Sequence, residues 1–512
     1  MEKANRTALR LSFASLDVRG HDALMRCIPH FLLLGSMLIP CGSQGETADE
    51  ALARATAAVQ AATPRAQSDP AHPIFHVTAP AQWINDPNGP IFHKGYYHLF
   101  YQLHPFSDKD GTKYWGHVRS RDLVKWEPLP IALAPSNDKG EEAIWSGSCT
   151  LDGQGEPMIF YTSIAQGKSA FDHAEQWAAI GDNDLIHWKK SPANPVLSEA
   201  LHGEKKIYDW RDPFVFHDGP KAFLVTGGHL AKEGEAAVNI YEAEDPTLTH
   251  WKYRGVLFQI PGAPTAECPN FFKLGDRWVL FVSPYGKVQY FVGDFDSATC
   301  RFTPRTHGLV DYGPNFYAPN TMLLSNGGRL VWGWINGFPS GPGWNGCLSL
   351  PRQLSISQNG ELKQAPAPEL TKLRAEAVAW RDIHPEIAGK TLALPQSNTL
   401  EIVAEIDLEK AQAVELAISN SSKDKKPLVV TFDGAQLTVM DVKAPCPLAG
   451  SPRKLTLRIF VDRSVVEVVA NETVWVTKTV PLMDTNATLK VRSEGGAANF
   501  MLVQVWPLKT IW

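Results

Sequence analysis

The sequence D-L-V-K-W at Asp122–Trp126 is the first copy of a motif that returns twice along the chain. It comes back as D-L-I-H-W at Asp184–Trp188 and as D-P-T-L-T-H-W at Asp245–Trp251, at nearly equal intervals. Self-similarity at a fixed period is typical of architectures built from repeated supersecondary units, such as blades. The chain is therefore predicted to contain a repeated structural unit.

Short apolar runs that read as strands recur in step with this motif. Gly, Pro and Asp turns bound them, and no long helical periodicity lies between them. Five such units predict four-stranded blades around an axis, that is, an all-β fold with a five-bladed β-propeller. One large β-sandwich or barrel is the alternative, which the long and repeated intervals disfavour. The five runs are Tyr96–Gln102, Met158–Thr162, Ala222–Thr226, Trp278–Val282 and Leu330–Trp334.

The length of 512 residues predicts more than one domain, because single hydrophobic cores stop growing at about 250 to 300 residues. Late in the chain, the apolar and polar residues of L-E-I-V-A-E-I at Leu400–Ile406 alternate in a different way from the strand runs of the propeller. This pattern predicts a C-terminal, antiparallel β-sandwich. The expected segments are a signal peptide or lipoprotein signal at 1–43, an Ala-rich linker (a tether or one weak helix) at 44–70, the propeller at 71–365, a linker at 366–380 and the sandwich at 381–512.

Composition and charge exclude some classes of partner. The net charge is −5, and no stripe of Lys or Arg is present. Nucleic acid and anionic membrane surfaces are therefore not expected as partners, and a neutral ligand fits better. The seven cysteines form no C-x-x-C pair and no cluster with histidine, so neither a zinc site nor a disulfide framework is predicted.

The N-terminal region indicates export. The apolar run Phe31–Ile39 is too short to span a bilayer and follows Arg26 and an internal Met25, as in a signal peptide. Leu38–Cys41 also resembles a bacterial lipoprotein cleavage box, although Pro40 stands where a small residue is usual. The protein is therefore expected in the periplasm, outside the cell, or held at the cell surface by a lipid anchor at Cys41.

Three acidic residues each stand one or two places ahead of a proline: Asp86 in W-I-N-D-P-N-G, Asp212 in W-R-D-P-F and Glu267 in A-E-C-P-N. A residue before proline is pushed towards extended backbone, so each carboxylate is expected on a strand and aimed in a defined direction. Three aimed carboxylates suggest glycosidic chemistry. D-P-N-G alone is also a good tight turn, an alternative that three such motifs in aromatic surroundings disfavour.

With these motifs the chain resembles glycoside hydrolase family 32, the invertases, inulinases, levanases and fructan exohydrolases. The resemblance covers His72 to Trp512 and implies a five-bladed propeller with a C-terminal β-sandwich, in agreement with the repeats. In chain order the motifs are W-I-N-D-P-N-G-P, Y-Y-H-L-F-Y-Q, W-G-H-V-R-S-R-D-L-V-K-W, W-S-G-S, R-D-P, E-C-P, D-Y-G-P-N-F-Y-A, G-W-N-G-C-L-S-L-P-R and F-V-D-R-S-V-V-E-V.

The resemblance also implies roles for individual residues. It makes Asp86 the nucleophile, Glu267 the general acid/base and Asp212 a stabiliser that binds fructosyl hydroxyls. Arg211 is expected to keep the neighbouring Asp212 ionised while donating hydrogen bonds itself. The residues that the family's pattern places around the sugar ring are Asn85, Gln102, Trp115, Trp145, Ser146 and Trp334.

Two positions depart from the family's pattern. His104 stands where members commonly have Asn, and Asn315 stands where they commonly have Asp. Neither change touches the three acids, so both are assigned to fine specificity. Asp311, in the retained half of the D-Y-G-P-N-F-Y-A motif, is then the expected substrate contact.

The resemblance implies a retaining β-fructofuranosidase that acts on fructan (levan or inulin) or sucrose through a covalent fructosyl-enzyme, without metal or organic cofactor. Fructosyl transfer through the same intermediate is a close alternative. A non-catalytic carbohydrate-binding propeller has no need of all three acids. An inverting, arabinan-cleaving propeller would need a wider gap between its carboxyl groups, and the W-I-N-D-P-N-G motif argues against it.

Overall fold

The computed structural model describes residues 45–512 apart from 172, 231–234, 386–387, 422–424 and 449–452. The predicted signal segment at 1–43, with Cys41, lies outside the described residues. In the described part of the chain, no helix is both long and apolar enough to cross a membrane.

Within the described residues, one α-helix and 22 strands precede the C-terminal domain. They are α1 Ala48–Ser68, β1 Gln82–His93, β2 Tyr96–His104, β3 Tyr114–Ser120, β4 Trp126–Pro128, β5 Glu141–Leu151, β6 Pro157–Ala165, β7 Glu175–Gly181, β8 Trp188–Lys190, β9 Tyr208–Asp218, β10 Lys221–His229, β11 Ala236–Ala243, β12 Trp251–Ile260, β13 Glu267–Leu274, β14 Arg277–Ser283, β15 Gln289–Asp296, β16 Arg301–Leu309, β17 Phe316–Leu323, β18 Arg329–Ile335, β19 Trp344–Asn345, β20 Cys347–Leu348, β21 Arg352–Ile356 and β22 Leu362–Pro366. Short 3₁₀ turns occur at Asn137–Lys139, Glu199–His202 and Pro368–Leu373.

These strands form five antiparallel blades. Blades I to IV are β1–β4, β5–β8, β9–β12 and β13–β16, and blade V is β17, β18, β21 and β22 with β20 added beside β18. The first strands of the blades contact one another in a ring: β1 meets β5 and β17, β9 meets β5 and β13, and β13 meets β17. The short strand β19 pairs in parallel with β1 and so ties the end of the propeller to its beginning. The predicted five-bladed propeller is confirmed.

The repeated motif, in which Leu-x-x-Trp is common to all three copies, is the turn into the fourth strand of a blade. Each tryptophan begins that strand, and its indole N–H donates to the carbonyl oxygen of the leucine three residues earlier at 2.9 Å. These leucines have φ values of 64°, 61° and 56°, which bulky side chains rarely adopt. The motif thus recurs because the same strained turn must be closed in blades I to III. The pairs are Trp126–Leu123, Trp188–Leu185 and Trp251–Leu248.

The C-terminal domain is a β-sandwich of two six-stranded sheets that enclose one apolar core. One sheet has the order β23-β34-β25-β30-β31-β32 and the other β24-β33-β26-β27-β28-β29, as predicted in kind. The strands are β23 Val378–Ile383, β24 Lys390–Ala393, β25 Thr399–Asp407, β26 Ala413–Ser419, β27 Leu428–Phe432, β28 Gln436–Val439, β29 Val442–Pro445, β30 Lys454–Asp462, β31 Val465–Ala470, β32 Val474–Thr479, β33 Thr488–Glu494 and β34 Asn499–Pro507.

The Ala-rich segment expected as a linker is a helix docked on the propeller. Thr47 and Glu50 form a capping box at the start of α1, which satisfies the free N–H groups there. The small side chains of Ala51 and Ala55 are fully buried in the same apolar cluster as residues of blade I. Just beyond the helix, Asp69 accepts a hydrogen bond from the indole of Trp344 at 2.7 Å. Of the two alternatives left open by the sequence, the helix is present.

A buried cluster of charged groups joins the propeller to the sandwich. The Asp462 carboxylate, at the end of β30, accepts hydrogen bonds from three successive backbone N–H groups at residues 74–76. The ring of His76 lies between Asp462 and Glu467, at 2.8 and 3.1 Å. Arg352 of the propeller donates to Glu467 at 2.5 Å and to Asp311 at 2.9 Å. The late motif F-V-D-R-S-V-V-E-V therefore supplies the acids of a domain interface.

This cluster predicts a pH dependence of stability. Burial by itself lowers the pKa of His76, but the hydrogen bonds to Asp462 and Glu467 outweigh it and raise that pKa to about 9. Because the folded pKa lies above the unfolded value of about 6.5, this stabilisation is complete below about pH 6.5 and is lost as the pH rises through about 9. We expect a loss on the order of a few kcal/mol between pH 6 and pH 9.5, measured by urea unfolding, with a flatter profile in His76→Gln. Parallel profiles for the two proteins would contradict this role of His76.

Candidate active site

A cleft of about 520 Å³ lies where one end of the propeller axis opens. Residues of several blades meet in it, although they are far apart in sequence. Of the eleven site residues predicted from the sequence, nine line this cleft: Asn85, Asp86, Gln102, Trp145, Ser146, Arg211, Asp212, Glu267 and Trp334.

Breaks in strand pairing aim these side chains into the cleft. In each blade the register between the first two strands shifts close to the cleft, and such bulges redirect side chains and end regular pairing. The shifts fall between Ile84 and Pro87, Ile144 and Gly147, Val225 and Gly227, Glu267 and Asn270, and Tyr317 and Asn320. The three acids are thus on strands, as predicted, but at irregular points of them.

The expected extended backbone before proline is wrong for Asp212. Its φ is 60°, in the left-handed region, which costs free energy for a residue with a side chain. Two contacts hold this conformation. The backbone N–H of Asp212 donates to the Thr162 hydroxyl at 2.9 Å, and its carboxylate accepts from the backbone N–H of Cys268 at 2.8 Å. Neighbouring strands therefore override the local preference of a residue before proline.

Neutral donors hold the carboxylate of Asp86. The Asn85 amide donates to Oδ1 at 3.0 Å, and the Ser146 hydroxyl donates to Oδ2 at 2.5 Å. Gln102 connects these two groups, because it accepts from Asn85 at 2.9 Å and donates to Ser146 at 2.7 Å. The carboxylate is thus oriented without a paired cation among the described residues, which leaves its charge available to a ligand.

Glu267 lies in a different environment. Arg211 donates to Oε1 at 2.6 Å, and the Tyr317 hydroxyl donates to Oε2. Burial is the largest influence on the pKa of Glu267 and, together with the nearby charges of Asp212 and Asp86, raises it to about 7 against the lowering effect of the Arg211 charge. A carboxyl group with such a pKa exchanges its proton near neutrality, as a general acid/base must.

Asp212 is more difficult to ionise than the sequence suggested. Burial is the largest influence and raises its pKa to about 6, against the lowering effect of Arg211. The expected control by the adjacent arginine is limited by geometry, because Arg211 Nε lies 3.7 Å from Asp212 while its amino groups bind Asp209 and Glu267. The carboxyl group still ionises below neutrality, so it can accept hydrogen bonds from sugar hydroxyls at pH 7.

Two important residues of the site were missed by the sequence reasoning. Asp209, fully buried, accepts hydrogen bonds from Arg211, from the Thr265 hydroxyl at 2.9 Å and from the Tyr285 hydroxyl at 3.2 Å. Tyr317 had a detectable signal, because Y-A-P-N in blade V repeats E-C-P-N of blade IV at the same point of the first strand. Asp209 had none, because only the folded chain brings its carboxylate beside Arg211.

Two predicted contacts do not line the cleft. Trp115 is fully buried, and its indole donates to the backbone oxygen of Trp145 at 3.0 Å, so it supports the cleft wall from behind. Asp311 belongs to the interdomain cluster, where it accepts from Arg352 and from the Thr477 hydroxyl at 2.6 Å. Both assignments are corrected here, because packing and ion pairing occupy these side chains.

The two departures from the family's pattern lie in different places. His104 donates a hydrogen bond from Nδ1 to the backbone oxygen of Thr112 at 2.9 Å and so supports the loop that brings Asp110 and Lys113 to the cleft. Asn315 accepts from the backbone N–H of Thr479 in the sandwich at 3.0 Å. Asn315 is therefore an interface residue. In the described part of the chain, no group of three or more His, Cys, Asp or Glu side chains could hold a metal ion.

Comparisons with known proteins agree with this geometry. Residues 76–366 match the family model of the glycosyl hydrolases family 32 N-terminal domain, and residues 369–507 match that of the glycosyl hydrolases family 32 C terminal. A sucrose-6-phosphate hydrolase of Zymomonas mobilis is 33% identical over 458 residues, with 81% of this chain and 87% of that protein covered. A levanase of Bacillus subtilis is 31% identical over 499 residues, with 86% and 71% covered.

Solved structures show the same fold. A Bombyx mori GH32 β-fructofuranosidase matches with a TM-score of 0.77 and 25% identity, over 90% of this chain and 98% of that one in its complex with sucrose. Fructan 1-exohydrolase IIa of Cichorium intybus also matches with a TM-score of 0.77, at 22% identity, over 86% of this chain and 98% of that one.

The position of Asp209 predicts its influence on Glu267. One guanidinium, that of Arg211, is shared by both carboxylates. In Asp209→Asn one competing charge is gone, so Arg211 acts more strongly on Glu267 and the pKa of Glu267 will fall below about 7. Carboxyl ¹³C NMR of glutamate-labelled protein measures this pKa. Asp110→Asn is the matched control, since Asp110 pairs with Lys113 instead; a pKa of Glu267 that is unchanged or raised in Asp209→Asn would refute the sharing.

Proposed function

The chain belongs to glycosyl hydrolase family 32, and from this premise we propose that it is a retaining β-fructofuranosidase. It is a glycoside hydrolase, and its family acts on sucrose, levan and inulin. The proposed reaction is hydrolysis of terminal β-D-fructosyl linkages of fructans or sucrose through a covalent fructosyl-enzyme. One observation carries the proposal: Asp86 and Glu267 face one cleft in different electrostatic environments.

Asp86 is the proposed nucleophile. Retaining glycosidases form a covalent bond between a carboxylate and the anomeric carbon, which requires an ionised and well oriented carboxylate. Asn85 and Ser146 orient Asp86 through neutral hydrogen bonds. A neutral donor can fix the direction of attack while withdrawing less charge from the attacking oxygen than a paired cation would.

Glu267 is the proposed general acid and base. It donates its proton to the leaving oxygen in the first step and removes a proton from water in the second. A pKa near 7 lets the same group do both within a narrow pH range. Arg211 remains hydrogen-bonded to Oε1, so the anion formed after the first step is stabilised at once.

Asp212 and the cleft walls are proposed to bind the fructosyl ring. Asp212 accepts from the backbone of Cys268 through Oδ2, which leaves its other oxygen for sugar hydroxyls. The amide of Gln102 and the indoles of Trp145 and Trp334 also line the cleft. Amides recognise a neutral polyol without a charge to desolvate, and flat aromatic faces pack against the ring.

Fructosyl transfer is the second candidate, because a sugar hydroxyl can replace water in the second step with the same three acids. A product time course on sucrose, inulin and levan distinguishes these activities. Free fructose without oligomers, accompanied by glucose when sucrose is the substrate, indicates exo-hydrolysis; a ladder of oligomers indicates endo-cleavage, and longer oligosaccharides at high sucrose indicate transfer. No release of fructose from any of the three substrates would reject the proposed function and favour a non-catalytic carbohydrate-binding protein.

The leaving group separates the roles of the two acids. In Glu267→Ala the rate of sucrose hydrolysis will fall by several orders of magnitude. The rate on an activated aryl fructoside will fall much less, because a good leaving group needs little protonation. Asp86→Asn is the matched control and will lose activity on both substrates, since it removes the attacking charge with almost no change in volume. Single-turnover kinetics on the two substrates provide the measurement. An equal loss on both in Glu267→Ala would mean that Glu267 only positions the sugar.

Export is proposed from the sequence of residues 25–41, where an apolar run precedes Cys41. Fractionation of bacteria expressing the full chain, with metabolic labelling by palmitate, provides the test. We expect activity outside the cytoplasm, and loss of any label in Cys41→Ser if the protein is lipid-anchored. Activity confined to the cytoplasmic fraction would contradict export.

A further inference from the structure

A second cavity lies at the opposite end of the same inner strands. The three acids are in the first half of their strands, whereas this cavity of about 400 Å³ is lined by the second halves. Its walls include Gly89–Phe92 of β1, Ser148–Leu151 of β5 and Phe214–His217 of β9. We call it the far cavity. It is distinct from the proposed active site, because no residue lines both.

The far cavity is positively charged. Arg329 of β18 and Lys273 of β13 line it, and no Asp or Glu does so among the described residues. The charge of the far cavity is opposite in sign to that of the catalytic cleft, where carboxylates outnumber cations. The uncharged lining groups include the hydroxyl of Ser148, which accepts from the backbone N–H of Val215 at 3.1 Å and so keeps its own proton free to donate.

Arg329 is buried without a negative partner. Only 9% of its surface is exposed. One amino group donates to the Thr321 hydroxyl at 3.0 Å, and the guanidinium carbon lies 4.4 Å from the ring centre of Phe272. The Nε atom is buried and has no partner in the described structure, and the second amino group donates to no described residue.

Two other deeply buried arginines of this chain have the acidic partners that Arg329 lacks. Arg211 contacts Asp209 and Glu267, and Arg352 contacts Asp311 and Glu467. A buried charge without a counter-charge is costly, because desolvation is not offset by an ion pair. Burial lowers the pKa of Arg329 to about 9, and a guanidinium nonetheless stays charged in proteins. The far cavity therefore contains an uncompensated positive charge that a bound anion would neutralise.

We propose that the far cavity binds a small inorganic anion, chloride or phosphate, against the guanidinium of Arg329. The second amino group of Arg329 and the hydroxyl of Ser148 are suitable donors, and Lys273 adds a second positive charge at the same cavity. Arg329, Thr321 and Phe272 belong to blades IV and V, so a bound anion braces neighbouring blades at the end of the axis away from the cleft. The anion takes no part in the hydrolysis.

Thermal unfolding at constant ionic strength tests this site. The wild-type protein is titrated with sodium bromide, as a chloride analogue, and separately with sodium phosphate, with a bulky sulfonate salt keeping the ionic strength constant. We expect a saturable rise of Tm with at least one of the two anions, because a ligand that binds only the folded state stabilises it. Saturation with bromide alone indicates a halide site, and with phosphate alone an oxyanion site; both support the proposal.

Arg329→Met gives the decisive comparison. It removes the uncompensated charge, so at low anion concentration its Tm is expected to equal or exceed that of the wild type, and the saturable rise is expected to vanish. Arg301→Met is the matched control, since Arg301 is exposed on an outer strand of the same propeller, and it will keep the rise. A saturable rise that survives in Arg329→Met, or its absence in the wild type with both anions, would overturn the proposal.

A second measurement does not depend on the variant being folded. Crystals of the wild-type protein soaked in sodium bromide, with diffraction recorded at the bromine absorption edge, will show an anomalous peak next to the guanidinium of Arg329 if the halide binds there. The same crystals soaked in phosphate will show tetrahedral density. If neither signal appears in the far cavity at concentrations that saturate any change of Tm, the anion acts elsewhere and this site is rejected.

Discussion

The breaks in strand pairing around the axis are the feature on which the rest of the molecule depends. Five inner strands converge, and each departs from regular pairing near the cleft. Backbone groups freed in this way bind side chains of other blades. Asn88 and Asn320 both bind Gly147 of blade II, and Asn270 accepts from the backbone N–H of Thr321. The irregular points are therefore held in position by other blades, and the three acids are held with them.

Charge is balanced differently in the cleft and at the domain interface. In the cleft, one guanidinium serves several carboxyl groups, so burial raises the pKa of Glu267 and Asp212 despite Arg211. At the domain interface, His76 and Arg352 match the acids in number more closely, and the pKa of Glu467 falls to about 2 although burial opposes this, mainly because of Arg352. An excess of acid favours proton transfer near neutrality, whereas a balanced cluster favours stability.

The sandwich contributes to the propeller without lining the cleft. Its acids bind the chain entering blade I and the arginine that begins β21. The segment after β34 returns to blade I, where Trp126 donates its backbone N–H to the carbonyl of Ile511. Both ends of the described chain thus pack against the first blade. Chain segments packed at the outer strand of a blade reduce its availability for pairing with another molecule.

The sequence by itself determined the five repeated units and the second β domain, because these are recorded as local patterns of alternation and turns, and the resemblance of its motifs to glycoside hydrolase family 32 pointed to nine residues that line the cleft. It could not determine that Asp212 adopts a left-handed backbone, that Asp311 and Trp115 face away from the cleft, or that Asp209 adjoins Arg211. Each of these depends on contacts between residues far apart in the chain. The tertiary structure decided them, because burial and the direction of a side chain exist only once the blades are closed around their axis.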